Sequence, residues 1–245
     1  MNDRHGIIDS ILGAFAPIHP DGFKFVAGEA LATLILFALA PPLGWLAAVA
    51  TAYCAYFFRD PERVTPQRPG LVVSAADGKI VGIARAVPPR ELQLGNSPLT
   101  RVSVFLSIFD VHVVRAPAGG RIVTSAYAPG AFLNAERDKA SEENERHALV
   151  VETERGEKTG LVLIAGLIAR RIVTFAGEGA SVARGQRIGL IRFGSRVDVY
   201  LPDGAGVLAE IGQTAIGAET VLAEFPRDEK ARALSSVIGS GLAEE

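Results

Sequence analysis

Cysteine occurs once, at Cys54, so the chain can close no intramolecular disulfide and can build no zinc cluster on thiolates. Positive charge is not in excess. Lys and Arg number 25 against 27 Asp and Glu, and a net charge of -2 offers no overall basic field for nucleic acid. Histidine is scarce: His5, His19, His112 and His147 are the only four, and no spacing of the metal-ligand kind stands out, so no metal is expected. Residues 1–21 lack the basic start of a signal peptide, carrying Asp3, Arg4, Asp9 and Asp21. Ala50-Thr51-Ala52 has the form of an A-x-A cleavage site, but the acidic start and the upstream prolines argue against secretion. The longest deficit is of charge itself: from Phe25 to Phe58 the sole charged residue is Glu29.

That run is divided by Pro41-Pro42 into two apolar halves, 25–40 and 43–58. A helix over either half spans ~24 Å, a little short of a ~30 Å hydrocarbon core. Two short helices joined at Pro-Pro predict a hairpin. Lys24 flanks one end and Arg59, Arg63 and Arg68 the other, so both ends are expected on the cytoplasmic face of the cell membrane. Trp45, Tyr53 and Tyr56 are candidate interfacial anchors. The competing expectation is a buried core hairpin in a soluble protein.

Beyond Pro66 and Pro69 the pattern changes to short apolar runs broken by Gly and Pro: 71–73, 80–87, 101–109, 111–114, 121–127, 148–153, 161–168, 171–175, 188–193, 197–201 and 207–211. This predicts a mostly β (α+β) chain with a sandwich- or barrel-like domain after the helical hairpin. The domain boundaries that follow are an N-terminal segment at 1–24, the hairpin at 25–58, a β domain at 59–225 and a polar C-terminal tail at 226–245. Internal echoes add detail. Ala75-Ala76-Asp77-Gly78-Lys79-Ile80-Val81 resembles Pro117-Ala118-Gly119-Gly120-Arg121-Ile122-Val123, with Asp77 opposite Gly119. The turns at 182–186 and 216–219 read as those of a biotinyl/lipoyl-type half-barrel.

Gly194-Ser195 enters the alternating strand Val197 to Leu201. A glycine permits strained dihedrals and leaves its carbonyl unshielded, so the adjacent hydroxyl can attack its own backbone. An ordinary Gly-Ser turn is the plain alternative. Asp77 before Gly78 has the same ambiguity. His112, between valines, is either a satisfied core histidine or a proton carrier.

Phe57-Phe58-Arg59-Asp60-Pro61, Ser74 to Ile80, Phe109-Asp110-Val111-His112-Val113-Val114-Arg115-Ala116-Pro117, Asn144-Glu145-Arg146 and Phe193-Gly194-Ser195 follow one another in an order that resembles phosphatidylserine decarboxylase. The likeness is to the short, membrane-attached form and covers roughly residues 55 to 225. It implies a proenzyme that cuts itself between Gly194 and Ser195. A β chain of 1–194 and an α chain of 195–245 would result, the latter beginning with a pyruvoyl group made from Ser195. That covalent cofactor would act through a Schiff base as the electron sink for decarboxylating phosphatidylserine to phosphatidylethanolamine. A homo-oligomer is expected on the same grounds. Asp77 would belong to the self-cleavage apparatus, and His112 would donate a proton or orient the substrate in decarboxylation.

Arg115 stands where longer members of the family carry a second histidine, and a guanidinium cannot serve as that base. The processing base is therefore open between Asp77 and His112. Arg115, Arg192 and Arg196 are candidate substrate-binding residues. Arg170, Arg171, Arg184, Arg187, Arg192 and Arg196 gather around the Gly-Ser segment and would suit a lipid phosphate or an anionic membrane surface if several share a face. The alternative from another class is a membrane-tethered carrier modified at Lys79.

Overall fold

The computed structural model describes residues 16–131, 144–166, 171–192 and 194–225. The expected C-terminal tail lies outside these residues, as do Arg170 and Phe193. His19 and two prolines set the apolar hairpin. His19 caps α1 (Pro20–Leu39), its Nδ1 accepting the Asp21 N–H at 3.2 Å, and Pro20 fills the first helical position, where its missing N–H does no harm. The helix thus begins five residues before the apolar run, because capping rather than hydrophobicity decides its start. Ala40 leaves the helical region at φ -153, and Pro41 opens α2 (Pro41–Phe57). The helices lie against each other, with the Thr33 and Thr51 hydroxyls 2.9 Å apart. Gly22 and Thr33 are the buried residues of α1, and Gly44 and Phe57 those of α2. Leu34, Leu39, Trp45, Leu46 and Val49 are all more than 60% exposed, so the hairpin is not the core of the β domain.

Fourteen strands follow among the described residues. They are β1 (Leu71–Val73), β2 (Gly78–Ala86), β3 (Leu99–Leu106), β4 (Val113–Arg115), β5 (Gly120–Ala128), β6 (Arg146–Glu152) and β7 (Lys158–Ala165), then β8 (Ile172–Thr174), β9 (Ser181–Val182), β10 (Arg187–Ile191), β11 (Ser195–Leu201), β12 (Gly206–Val207), β13 (Thr214–Ala215) and β14 (Val221–Glu224). Eight form one antiparallel sheet in the order β13-β2-β3-β11-β7-β6-β5-β9, and β1-β14-β12 and β4-β10-β8 form two smaller ones. Among the described residues strand accounts for 39% and helix for 21%, and the large sheet is a curled half-barrel, in keeping with the mostly β domain expected from the short runs and the half-barrel expected from the turns. No apolar run in the sequence corresponds to β9, β13 or β14, which are two to four residues long and too short to show alternation.

The echoes are an internal duplication with a matching hydrogen-bond scheme. Val73 N–H donates to Pro117 O and Arg115 N–H to Ala75 O, a reciprocal pair across the two copies. Gly78 and Gly120 open β2 and β5 at φ +147 and +156, and a Cβ on either would collide with a neighbouring strand's carbonyl, of Phe105 and Glu152 respectively. Two residues later each strand bulges, at Ile80/Gly82 and at Ile122/Thr124. Gly185 (φ +80) and Ala218 (φ +69) occupy equivalent left-handed turns, donating to Ala116 O and Ser74 O.

β11 runs through the middle of the large sheet, paired along its length with β3 and β7. Its residues alternate strictly. Val197, Val199 and Leu201 face the main core, with Leu106, Leu163 and Ala165 beside them, while Tyr200 joins Leu92, Val162 and Ile164 on the other face.

Candidate active site

Ser195 begins β11, opposite Leu106 on one side and Ala165 on the other. By the same alternation its side chain points to the main core, and it is 0% exposed. Its hydroxyl is buried and makes no hydrogen bond among the described residues. A buried, unpaired hydroxyl is costly to keep. Ser103 and Thr159 share that feature, and what sets Ser195 apart is the residue before it. Gly194 precedes it in the left-handed region at φ +58. A Cβ there would meet only Ile108 Cγ2, at 4.0 Å, so the glycine answers a dihedral demand and not a shortage of space.

His112 closes on this bend. Its backbone carbonyl accepts the Ile191 N–H at the end of β10, and its Nε2 accepts the Gly194 N–H at 3.2 Å. Since Gly194 must donate, the ring proton sits on Nδ1, which donates to the Asp110 carbonyl at 2.9 Å. The Phe57 ring packs on the imidazole with centroids 4.2 Å apart. Burial pushes the His112 pKa down to about 4, so the ring is neutral at physiological pH.

Asp77 lies at the same end of the sheet. The Asp77-Gly78 segment runs along Phe105 and Leu106, and Leu106 pairs with Ser195, so one strand separates the two backbones, a distance of ~10 Å. Asp77 takes a hydrogen bond from Arg63 Nη2 at 2.6 Å and another from the Gly217 N–H at 2.8 Å. Burial nonetheless holds its carboxyl above the ordinary carboxylate range, and Arg63 and Gly217 pull it back only in part. Asp110 and Arg59 act electrostatically on both Asp77 and His112, which makes these groups one electrostatic neighbourhood.

The three candidate arginines are placed apart from Ser195 or are otherwise engaged. Arg196, 1% exposed, projects to the opposite face of β11 and makes a two-pronged pair with Asp198 at 2.8 Å. Arg115 lies at the far end of β4 from His112, where it pairs with Asp60 at 3.0 Å and donates to the carbonyls of Pro61 and Gly185. Arg187 contacts the other oxygen of Asp60 at 2.6 Å. Arg184 donates to Leu71 O. Arg192, next to the bend, lays its guanidinium over the Phe25 ring at 4.9 Å. These five arginines therefore do not form one face. Lys79 lies inside β2, paired with Phe105 and Thr214, and not at the tip of a turn where a carrier lysine is presented.

Sequence reasoning missed Asp60, Arg63, Asp110 and Phe57 as supports of the site. Three of them lie in the ordered motifs and Arg63 just beyond one, but their partners are distant in the chain or hidden by the turn. A cleft of about 650 Å³, lined by Gly119, Gly120, Thr153, Arg155 and Arg184 among others, sits on the second copy of the duplication, away from Ser195.

A family model for phosphatidylserine decarboxylase matches residues 50–223. The chain is also 56% identical over 220 residues, 90% of its own length and 89% of the relative's, to a phosphatidylserine decarboxylase proenzyme of Nitrobacter winogradskyi. On these matches the class is a decarboxylating enzyme rather than a carrier. The chain belongs to the phosphatidylserine decarboxylase family.

Proposed function

We propose that the chain is a proenzyme that cuts itself between Gly194 and Ser195, and that the pyruvoyl group so formed converts phosphatidylserine to phosphatidylethanolamine and CO₂. The observation that carries this reading is the bend itself: a left-handed glycine followed by a buried hydroxyl with no partner among the described residues. In the cut, Ser195 Oγ bonds to the Gly194 carbonyl carbon, the peptide C–N bond breaks, and the hydroxyl proton passes to the Ser195 nitrogen. Loss of the Ser195 α-proton and of the Gly194 carboxylate leaves a dehydroalanine, and water then replaces its nitrogen, which departs as ammonia. Ser195 fits this fate, because an Oγ without competing hydrogen bonds keeps its lone pairs available for attack. Asp77, with a carboxyl raised above the ordinary range, exchanges a proton more readily near neutral pH than an exposed aspartate does, and it serves the cut.

Once formed, the pyruvoyl carbonyl supplies an electron sink for the substrate amine. His112 supplies the proton. Asp110 and Phe57 fix its ring, and the cut frees Nε2 from the Gly194 N–H, so that this unprotonated atom takes up a proton from solvent and passes it to the carbon that loses CO₂; the low pKa makes the transient imidazolium a strong acid for that step. The exposed apolar hairpin anchors the enzyme in the membrane, with the β domain on the cytoplasmic side. Denaturing electrophoresis and intact mass test the cut. Purified protein is expected as fragments 1–194 and 195–245, and Ser195→Ala as one full-length chain without activity. A preparation that is active yet wholly uncut overturns the proposal.

A further inference from the structure

The turn between β3 and His112 stands beside the hairpin, and its backbone is finished as if for a place without water. Tyr53 Oη donates to the Ile108 carbonyl at 3.0 Å, Tyr56 Oη to the Phe109 carbonyl at 3.1 Å, and Arg59 Nη2 to the same carbonyl at 2.6 Å. Ser107 N–H and Oγ both bond Asp110 Oδ2, and the Asp110 carbonyl takes the His112 Nδ1 proton. The Ile108 and Phe109 side chains, by contrast, are 38% and 61% exposed. Apolar side chains outward with paired carbonyls behind them are the reverse of an ordinary hydrated turn, and they match what hydrocarbon demands of a backbone.

Depth points the same way. The open end of the hairpin lies at the β domain, where His19 N–H donates to Phe58 O. α1 and α2 span ~30 and ~26 Å, barely the ~30 Å hydrocarbon thickness, so that open end must lie close to the hydrocarbon boundary if the hairpin crosses. Tyr53 is one turn in from the end of α2, and helical side chains tilt toward the helix N-terminus, here the hairpin tip. A carbonyl bonded by Tyr53 Oη therefore lies about 6 Å or more above the open end. Phe109 also packs edge-on against Tyr53, with centroids 6.3 Å apart.

We propose that the Ile108–Phe109 turn is a membrane-inserted wedge, seated among lipid headgroups and the first acyl carbons, which brings His112 and Ser195 to the bilayer surface. The partner is the phospholipid bilayer itself. The inference rests on the hairpin being a membrane anchor, and the test separates the two claims. Trp45, near the hairpin tip, is the one tryptophan of the chain, so it reports the hairpin alone, and Phe109→Trp in a Trp45→Phe background reports the turn alone. Both proteins are placed in vesicles of phosphatidylcholine and phosphatidylglycerol carrying acyl chains brominated near the carbonyl end or near the terminal methyl, and each is also titrated with aqueous iodide. The tryptophan introduced in the turn is expected to be quenched by the shallow bromolipid at least twofold more than by the deep one, and to be little affected by iodide. Strong iodide quenching of the turn tryptophan while bromolipid quenches Trp45 overturns the wedge and leaves the anchor standing. Quenching of neither tryptophan by bromolipid overturns both. Protection of the turn tryptophan from bromolipid and iodide alike indicates a protein neighbour and also overturns the wedge. As a second readout, Phe109→Asp keeps the backbone carbonyls in place and is expected to cut normally. It should lose roughly tenfold of its turnover of vesicle lipid while keeping that of a short-chain, micellar substrate. Equal loss on both substrates counts against the wedge.

Discussion

Removing Asp60 tests the assignment of Arg115 most directly. Asp60 and Arg115 are 6% and 5% exposed, and Arg115 is held by one carboxylate oxygen and two backbone carbonyls. Asp60→Ala leaves this guanidinium buried with only the two carbonyls, and breaking one side of a buried pair costs about 3 kcal/mol or more. The second pair, to Arg187, is partly exposed and adds no more than ~1 kcal/mol. For a chain of this size each kcal/mol moves the Tm by ~2–4 °C, so a drop of ~6–12 °C is expected for the detergent-solubilised proenzyme. Arg115→Met in the wild-type background should destabilise comparably, because it leaves Asp60 to Arg187 alone. In the double variant the losses should not add, with a coupling of ~2 kcal/mol. Arg115→Lys should not rescue, since an ammonium cannot reach three acceptors in the guanidinium's fixed fork. Thermal unfolding followed by circular dichroism, with decarboxylase kinetics alongside, decides it. Should Arg115→Met keep its Tm and raise KM, Arg115 binds substrate and the structural account fails.

Other perturbations test the bend and its surroundings. His112→Ala is expected to yield both fragments yet lose ~10²-fold or more of its turnover, whereas Asp77→Ala should block or greatly slow the cut. An uncut His112→Ala would make His112 the processing base. Gly194→Ala has room for its methyl but must hold a left-handed dihedral at ~1–2 kcal/mol, so it should fold and cut roughly 5- to 30-fold more slowly in a time course of fragment appearance. A rate equal to wild type would show that the dihedral is not used in the reaction. Acid should destabilise the proenzyme through His112. Its pKa is depressed to about 4 when folded, so between pH ~6.5 and ~4 the unfolded chain binds the extra proton, and stability falls through that window by up to ~3 kcal/mol. The raised Asp77 carboxyl works in the opposite direction, its burial penalty easing as it protonates. Urea midpoints across this range should flatten in His112→Phe, and an unchanged slope contradicts the assignment. A variant beginning at Arg59 loses Phe57 and Phe58, which pack at 0% and 1% exposure against Val111, Val113 and Leu190. It should aggregate rather than become a soluble domain, and a monodisperse, active preparation would show these contacts to be dispensable.

The hairpin, the short-strand domain and the duplication were legible because each is a local pattern: a charge gap, a Gly/Pro rhythm, a repeated heptapeptide. The bend at Gly194-Ser195 was legible through its residue types and motif order. What was not legible depends on which groups meet across the chain. Asp60 finds Arg115 55 residues away, and Glu219 finds the Val64 N–H across 155. Six arginines near one segment suggested a phosphate site, but strand alternation sends Arg196 to the far face and Asp60 claims Arg187, as it does the separate candidate Arg115. β9 and β13 exist because β5 and β2 offer them backbone groups to pair, a cause that lies in the partner strand.

The position of Ser195 at the first residue of a strand flanked on both sides has a topological consequence. If the chain is cut there, the rungs of β11 from Arg196 onward survive, now as contacts between two polypeptides, since β3 and β7 both belong to the upstream fragment. β13 and β14 likewise stay laced to β2 and β1. The downstream fragment becomes a keystone that cannot slide out without opening the arch of the large sheet. Folding must therefore precede cutting, and the two fragments, once parted by denaturant, would face the slow search of a bimolecular assembly in place of an intramolecular one.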